Sequence, residues 1–216
     1  MPSGFNYDFW QGPALEAPYC PARCLVNFRW NFEYSGGSIT DWGGHHPDIG
    51  QWGMGTELTG PVAIRNGRAH WAKEKVWNTA TDFYFEAVYA SGVAMIISSF
   101  EREGVTFEGT EGWVWVTRGE MDANPKSLVT YEPAEKEIHL YRSEHHYRNF
   151  IDCVISRREP VAPIEQAHRS ITVAHLGNIS LRLGRDIQWD PAAERVLNDP
   201  EANAMLSRPM RQPWQL

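Results

Sequence analysis

The side chains best suited to chemistry are concentrated between residues 36 and 48, where the chain reads Gly-Gly-Ser-Ile-Thr-Asp-Trp-Gly-Gly-His-His-Pro-Asp. Asp41 and His45 are four residues apart, a spacing that places two side chains on one side of a helical turn. A carboxylate can orient an imidazole, and histidine titrates near neutral pH. The pattern therefore indicates a general acid–base pair in which His45 exchanges a proton and Asp41 orients it.

Two other interpretations of this segment remain open from the residues alone. In the first, the glycines form a turn, Asp41 caps the N-terminus of a helix, and the histidines are incidental. In the second, Asp41, His45, His46 and Asp48 bind a metal, because these residue types suit zinc or non-haem iron. Adjacent histidines seldom point the same way, and no distant ligand stands out, so we predict no metal site.

Composition argues against several classes of function. The net charge is −7, from 20 basic and 27 acidic residues, and no basic run could neutralise a phosphate backbone, so nucleic acid is not an expected partner. No apolar stretch approaches the roughly 20 residues of a membrane helix, and the N-terminus lacks the pattern of a signal peptide. We therefore expect a soluble, cytoplasmic protein with no membrane partner.

Turn residues and hydrophobic periodicity predict the elements that position this segment. A helix is expected from Gly43 to Met54, with Pro47 in its first turn, where a missing N–H costs nothing. Three hairpins are predicted, and Glu137–Tyr141 is a possible further strand. The hairpins pair Val62–Arg65 with Ala69–Trp71 across Asn66-Gly67, Phe83–Ala90 with Val93–Ser98, and Val105–Glu108 with Trp113–Val116.

Helices are expected to cover one face of the resulting sheet. His146–Arg158 carries an apolar stripe, Pro163–Leu183 forms a long buried helix, and Ala192–Leu197 forms a short one. The stripe consists of Tyr147, Phe150, Ile151, Val154 and Ile155. The predicted fold class is α+β, with one open, mainly antiparallel sheet.

The other face of this sheet is expected to be an oligomer interface, because its strands carry Phe83, Phe85, Trp113 and Trp115. We divide the chain into an irregular N-terminal segment, an α+β substrate-binding and oligomerisation domain, and a C-terminal tail. These parts span residues 1–35, 36–189 and 190–216.

Several segments together resemble the C-terminal domain of the Gfo/Idh/MocA oxidoreductases, in their bacterial-type branch. Residues 36–52 resemble the D-x3-H segment of that family, and residues 7–14 resemble the W-x-G-P-A sequence at the beginning of the domain. Residues 78–83 and 107–113 are similar to its sheet hairpins. The resemblance continues through His145, the Asn149–Cys153 helix and the Pro163–Arg185 helix to Ser207-Arg208-Pro209, so it covers nearly the whole chain.

The resemblance implies an enzyme that moves a hydride between NAD(P) and a hydroxyl carbon of a sugar or polyol. In the family pattern the Asp and His of D-x3-H bind the substrate and transfer its proton, which are roles that fall on Asp41 and His45. Expected contacts to substrate hydroxyls come from Tyr7, Asn27, Arg29, His46 and His168.

No segment resembles the glycine-rich nucleotide fingerprint of the family's Rossmann domain, or the lysine of its E-K-P motif. We therefore expect this chain alone to bind no cofactor, with NAD or NADP implied if a separate Rossmann-domain chain is supplied. Three functions remain open: the catalytic half of a sugar oxidoreductase, a non-catalytic carbohydrate-binding or assembly protein, and a cofactor-free isomerase or lyase using Asp41 and His45. The expected partners are a small carbohydrate and further copies of the chain.

Overall fold

The structure, a computed structural model, describes residues 1–74 and 76–215, so Leu216 of the predicted tail lies outside it. The described residues form six α-helices, namely α1 (Tyr7–Gln11), α2 (Gly37–Gly43), α3 (His46–Gly53), α4 (His146–Ser156), α5 (Ile164–Leu183) and α6 (Pro200–Ala204). They form eight strands, namely β1 (Ala63–Trp71), β2 (Ala80–Val88), β3 (Ala94–Ser98), β4 (Val105–Gly109), β5 (Gly112–Thr117), β6 (Glu120–Asn124), β7 (Ile187–Asp190) and β8 (Arg195–Val196). The described residues also form three 3₁₀ turns, at Pro21–Arg23, Leu25–Trp30 and Lys126–Thr130.

The strands form two sheets rather than the single sheet expected from the sequence. One has five strands in the order β3-β2-β1-β7-β8, and the other has three in the order β4-β5-β6. Neighbouring strands pair antiparallel in both. The α+β class is therefore confirmed, as are the hairpins β2–β3 and β4–β5.

The main core lies between α5 and the five-stranded sheet. Phe85, Val173 and Leu176 are fully buried there. A Cβ added at Gly177 would come within 2.2 Å of the Phe85 ring, so this glycine allows the helix to approach the sheet closely. Phe83, Phe85 and Trp115 are buried within the chain itself, and so they do not form the uncovered apolar face that we expected.

The Asn66-Gly67 pair does not form a hairpin turn. The residues on both sides of it pair with the same strand, Arg65 with Glu86 and Arg68 with Tyr84, and the register shifts between these pairs. Asn66 has a φ of 55°, which is the left-handed conformation that a turn would also require. The pair is therefore a bulge inside one long strand, since the local sequence signal for both structures is the same.

The amphipathic helix α4 forms near its predicted position, but it does not cover the sheet. All five residues of its apolar stripe are exposed, with Tyr147 at 75% and Ile155 at 73%. Hydrophobic periodicity specified the helix and its apolar side, but it carries no information on what that side contacts. The covering helix is α5, which ends as predicted at Gly184 in the left-handed conformation.

The predictions for two short segments are wrong. Residues 137–141 form no strand. Residues 192–197 form a turn and the edge strand β8 instead of a helix, while the helix α6 begins at Pro200. Both windows are too short for periodicity to distinguish a helix from a strand. The helix α6 is instead specified by its cap, since the Asp199 side chain accepts a hydrogen bond from the Ala202 N–H.

Among the described residues, no helix has both the length and the apolar character that crossing a membrane requires.

Candidate functional site

Asp41 and His45 do not share one helix. Asp41 lies inside α2, so it is not the N-cap that one interpretation made it. His45 lies between α2 and α3 and precedes α3, where its side chain forms no capping hydrogen bond. The helix predicted from Gly43 to Met54 is observed as α3, but it begins at His46, because Pro47 is tolerated only in the first turn of a helix. The preceding helix α2, which ends at Gly43, was not predicted.

The carboxylate of Asp41 is bound by Arg29. The Arg29 Nη1 atom donates to Asp41 Oδ2 at 3.2 Å, and about a third of each side chain is exposed (36% and 35%). Arg29 comes from the 3₁₀ turn Leu25–Trp30, which also contains Asn27 and packs beside α2. The structure thus joins two predicted site residues, and the cation that faces the Asp41 carboxylate is a guanidinium rather than the His45 imidazole.

Trp42 organises the two histidines. Its ring stacks on His46 with 5.7 Å between centroids and 3° between planes, and it meets the His45 ring edge-on at 6.3 Å. The Arg118 guanidinium lies 5.4 Å from the centre of the Trp42 ring, so the turn between β5 and β6 adjoins this corner. His45 remains exposed, and its imidazole can therefore exchange protons with a ligand or with solvent.

Partial burial lowers the pKa of His46, and Arg118 and His45 lower it further, while Glu103 opposes them. A neutral imidazole is thus favoured at His46 near neutral pH. Such a ring has one nitrogen to donate and one to accept a hydrogen bond, which suits a substrate hydroxyl.

Asp48 is directed elsewhere. Its Oδ1 atom accepts a hydrogen bond from the Ser170 hydroxyl of α5 at 2.6 Å, so this carboxylate ties α3 to α5. In residues 1–74 and 76–215, no three His, Cys, Asp or Glu side chains form a group that could hold a metal ion. The metal interpretation of the segment therefore gains no support.

A large open cavity lies beside α2, between α5 and the two ends of the chain. Its volume is about 1290 Å³. Gly36 and Thr40 belong to its wall, which links it to the candidate segment, and Asn178 of α5 donates to the Gly36 carbonyl at 2.9 Å. Aromatic rings contribute much of the remaining wall, namely Trp10, Phe28, Phe32, Tyr34 and Trp189.

The remaining predicted residues divide between this cavity and its surroundings. His168 lines the cavity, and its Nε2 atom lies 2.9 Å from Glu194 Oε1. Tyr7 stacks on Trp10 with 5.7 Å between centroids and donates to the Pro18 carbonyl at 3.3 Å. Burial, and after it the neighbouring Tyr34 hydroxyl, raises the pKa of Tyr7 to about 12, so this phenol stays protonated.

The sequence analysis missed three cationic or titratable residues that line the same cavity, namely His175, Arg182 and Arg208. His168, His175 and Arg182 are seven residues apart along α5, and that spacing was a usable signal because it returns to one side of a helix. No signal of this kind identified Arg208, which reaches the cavity from the C-terminal tail.

Comparison with known proteins gives one family and a set of similar folds. Residues 1–216 match the model of the "Oxidoreductase family, C-terminal alpha/beta domain". No curated protein matches the chain. A crystal structure of aldose-aldose oxidoreductase from Caulobacter crescentus complexed with glycerol is similar, with a TM-score of 0.54 and 18% identity over 76% of this chain and 51% of that one.

A crystal structure of an NAD-binding protein from Listeria innocua matches with a TM-score of 0.49 and 14% identity, over 76% of this chain and 55% of that one. The chain thus spans about half the length of both solved structures. At these levels of identity, the similarity to the Caulobacter structure shows the fold alone.

Proposed function

Because this chain belongs to the Gfo/Idh/MocA oxidoreductase family, as a C-terminal alpha/beta domain, we propose that it forms the substrate-binding, proton-transferring half of an NAD(P)-dependent sugar or polyol oxidoreductase. The proposal depends on the arrangement of Asp41 and His45 where α2 meets α3, which we call the α2–α3 corner. There His45 is exposed and follows Asp41 by four residues, and the Asp41 carboxylate is held in position by Arg29. Such a group can hold a substrate hydroxyl and accept its proton.

In this proposal each residue has a separate role at the hydroxyl that reacts. The His45 imidazole accepts the hydroxyl proton, and the Asp41–Arg29 pair provides a fixed acceptor and donor for a neighbouring hydroxyl. Trp42 holds both histidine rings in place through its stacking and edge contacts. The cofactor, when bound, supplies the acceptor for the hydride that leaves the same carbon.

The residues present do not fit a dinucleotide. The described strands pair antiparallel, whereas a Rossmann phosphate site needs a parallel β-α-β unit with a glycine-rich turn. We therefore place the cofactor on a separate domain or chain. Calorimetric titration with NAD⁺ and NADH is expected to give no heat, and binding of micromolar affinity would contradict this assignment.

The experiment that tests the site is NMR titration of the histidine ring protons with a panel of aldoses and polyols. A ligand bound at the corner is expected to shift the His45 resonances and to weaken about tenfold in Asp41→Asn or His45→Gln, the loss of one hydrogen bond to a polar group. His70→Gln is the matched control, because His70 is also an exposed histidine but lies on β1, where it faces Asp82 at 3.6 Å. No shift with any member of the panel would overturn the proposal.

One observation favours a second candidate, a non-catalytic carbohydrate-binding protein. Asp41 is held by Arg29 rather than by His45, an arrangement that suits binding of hydroxyls without proton transfer. In that case sugar binding would weaken in Asp41→Asn but remain unchanged in His45→Gln. The cofactor-free isomerase or lyase requires an Asp41–His45 pair as its catalytic unit, and no observation favours it.

A further inference from the structure

Positively charged side chains converge on the cavity beside α5. Arg182 lies on the cavity side of α5, and Arg208 reaches the same space from the C-terminal tail. The Arg208 Nη2 atom donates to the Ser35 carbonyl at 3.1 Å, and the Arg182 guanidinium lies 4.5 Å from the centre of the Phe32 ring. These contacts hold both guanidinium groups in place at the cavity wall.

The two arginines form no close ion pair. Within residues 1–74 and 76–215, neither Arg182 nor Arg208 forms an ion pair with a carboxylate within 4.0 Å. The Glu194 carboxylate, which also lines the cavity, is already bound to Arg169 at 2.9 Å and to His168 at 2.9 Å. Glu33 is the remaining acidic residue of the wall.

The surrounding protein also affects the pKa values of these exposed side chains. Partial desolvation by the cavity wall lowers the pKa of Arg208; Glu33 opposes this lowering, and Arg182 adds to it more weakly. Partial desolvation also lowers the pKa of His175, with further lowering by Arg208 and His168. The chain carries a net charge of −7, so two arginines without an ion pair on one wall are contrary to its average composition. An anion in the cavity would relieve this repulsion.

The rest of the wall suits a ligand that carries hydroxyl groups. Tyr34 and Asn178 line the cavity, and each has a buried side-chain oxygen without a hydrogen-bond partner among the described residues. Asn178 is 5% exposed, so its amide is almost fully removed from solvent. Trp10 and Phe28 provide flat apolar surface, on which the face of a sugar ring can pack.

We propose that this cavity binds a small polyhydroxylated anion, with Arg182 and Arg208 holding its carboxylate or phosphate group and the aromatic wall packing on its carbon skeleton. The guanidinium fork matches both anionic groups, so a sugar acid and a sugar phosphate share this chemistry. The proposal narrows the substrate class of the proposed function and in that respect rests on it.

The test is calorimetric titration of the chain with D-gluconate, D-glucose 6-phosphate and D-glucose at low ionic strength. At least one of the two anions is expected to bind, and glucose is expected to bind at least about tenfold more weakly, since hydrogen bonds to a charged group are the stronger ones. The anion that binds shows whether the cavity takes a carboxylate, as in gluconate, or a phosphate, as in glucose 6-phosphate. Absence of binding by both anions, or equal binding of glucose, overturns the proposal.

Variants assign the binding to the two arginines. Arg182→Gln and Arg208→Gln are each expected to weaken the anion about tenfold or more. Arg65→Gln, an exposed arginine on β1 that does not line the cavity, should leave the affinity unchanged. Arg208→Lys keeps the charge and the fold, and it should bind better than Arg208→Gln. An equal loss in Arg65→Gln would show nonspecific charge attraction and would overturn the site.

This outcome is separable from that of the proposed function. Binding of gluconate or glucose 6-phosphate that depends on Arg208 but not on His45 would support the anion site and contradict proton transfer by His45. Sugar binding that depends on His45 but not on Arg182 or Arg208 would support the role of His45 and contradict the anion site.

Discussion

At the scale of single residues, Arg29 and the histidines determine what the candidate site can do. Arg29 fixes the Asp41 carboxylate from a 3₁₀ turn, and Trp42 holds His45 and His46 by ring contacts. A partly exposed ion pair contributes little stability, because water competes for both charges. The value of the Arg29–Asp41 contact therefore lies in positioning rather than in holding the fold together.

This view predicts a small effect of Arg29→Gln on folding and a larger one on ligand binding. The free energy of unfolding should fall by about 1 kcal/mol or less, measured by urea denaturation. Binding of a sugar ligand at the corner should weaken several-fold, because Asp41 loses its fixed orientation. Arg65→Gln is the control for both measurements. A loss of several kcal/mol in Arg29→Gln would show that the pair supports the fold instead.

Two histidines with lowered pKa values lead us to expect a loss of stability on mild acidification. Partial desolvation by the surrounding protein lowers the pKa of both His46 and His175 from the ordinary value of 6.5. The unfolded chain therefore binds more protons than the folded chain as the pH falls through and below about 6.5, and folding is then opposed. The stability contributed by the two neutral imidazoles is present above that pH and is lost below it.

Denaturation midpoints at several pH values between 7.5 and 5 measure this effect. The double variant His46→Asn, His175→Asn should show a flatter dependence than the unaltered chain. The control is His70→Asn, because the His70 side chain is 79% exposed, and its slope should equal that of the unaltered chain. Identical slopes in all three proteins would contradict the prediction.

At the scale of elements, the long helix α5 connects every part of the site. Its Ser170 binds Asp48 of α3, its Asn178 binds Gly36 just before α2, and its Gly177 contacts Phe85 of β2. The same helix presents His175 and Arg182 to the cavity. A displacement of α5 would therefore move the α2–α3 corner and the cavity wall together.

Gly177→Ala tests how closely α5 must lie on the sheet. The new Cβ would come within 2.2 Å of the Phe85 ring, which is fully buried and has no space to move into. We expect a loss of about 1–3 kcal/mol in the free energy of unfolding, despite the better helix propensity of alanine. Gly44→Ala is the control, since its Cβ would have no neighbour closer than 3.6 Å. An unchanged or higher stability of Gly177→Ala would contradict the close packing.

At the scale of the whole molecule, two surfaces differ in character. The face of the five-stranded sheet opposite α5 is largely polar, because Arg68 lies 4.3 Å over the Tyr84 ring and Tyr84 donates to Glu86 at 2.8 Å. Ile96, 57% exposed, pairs with Glu86 and belongs to that face. The apolar stripe of α4 is instead exposed along its whole length. Exposed apolar surface of this extent is typical of protein interfaces.

Although the open sheet face is largely polar, self-association through it remains a prediction, and sedimentation velocity tests it. We expect a dimer or larger species, which Ile96→Arg converts to a monomer, because a charge would be buried without a partner. Phe150→Arg on α4 is the comparison variant. A monomer for the unaltered chain contradicts self-association, and dissociation by Phe150→Arg alone would show that association involves α4 instead of the sheet.

The sequence by itself determined those features that depend on residues close together in the chain. Turn residues and alternation specified the hairpins β2–β3 and β4–β5, and proline and glycine specified the limits of α5. Several short motifs, including the one around Asp41 and His45, identified the family. Each of these signals lies within a few residues, where backbone preferences act directly.

Tertiary structure alone decided which distant groups meet. It paired Arg29 with Asp41, made Asn66-Gly67 a bulge inside one strand, left the stripe of α4 exposed, and brought Arg208 to the same cavity as Arg182. Local sequence cannot specify such contacts, because they depend on how helices and strands pack after they have formed. The family and the fold class were therefore readable from the chain, while the contacts of Asp41 and the charges that line the cavity were set by the fold.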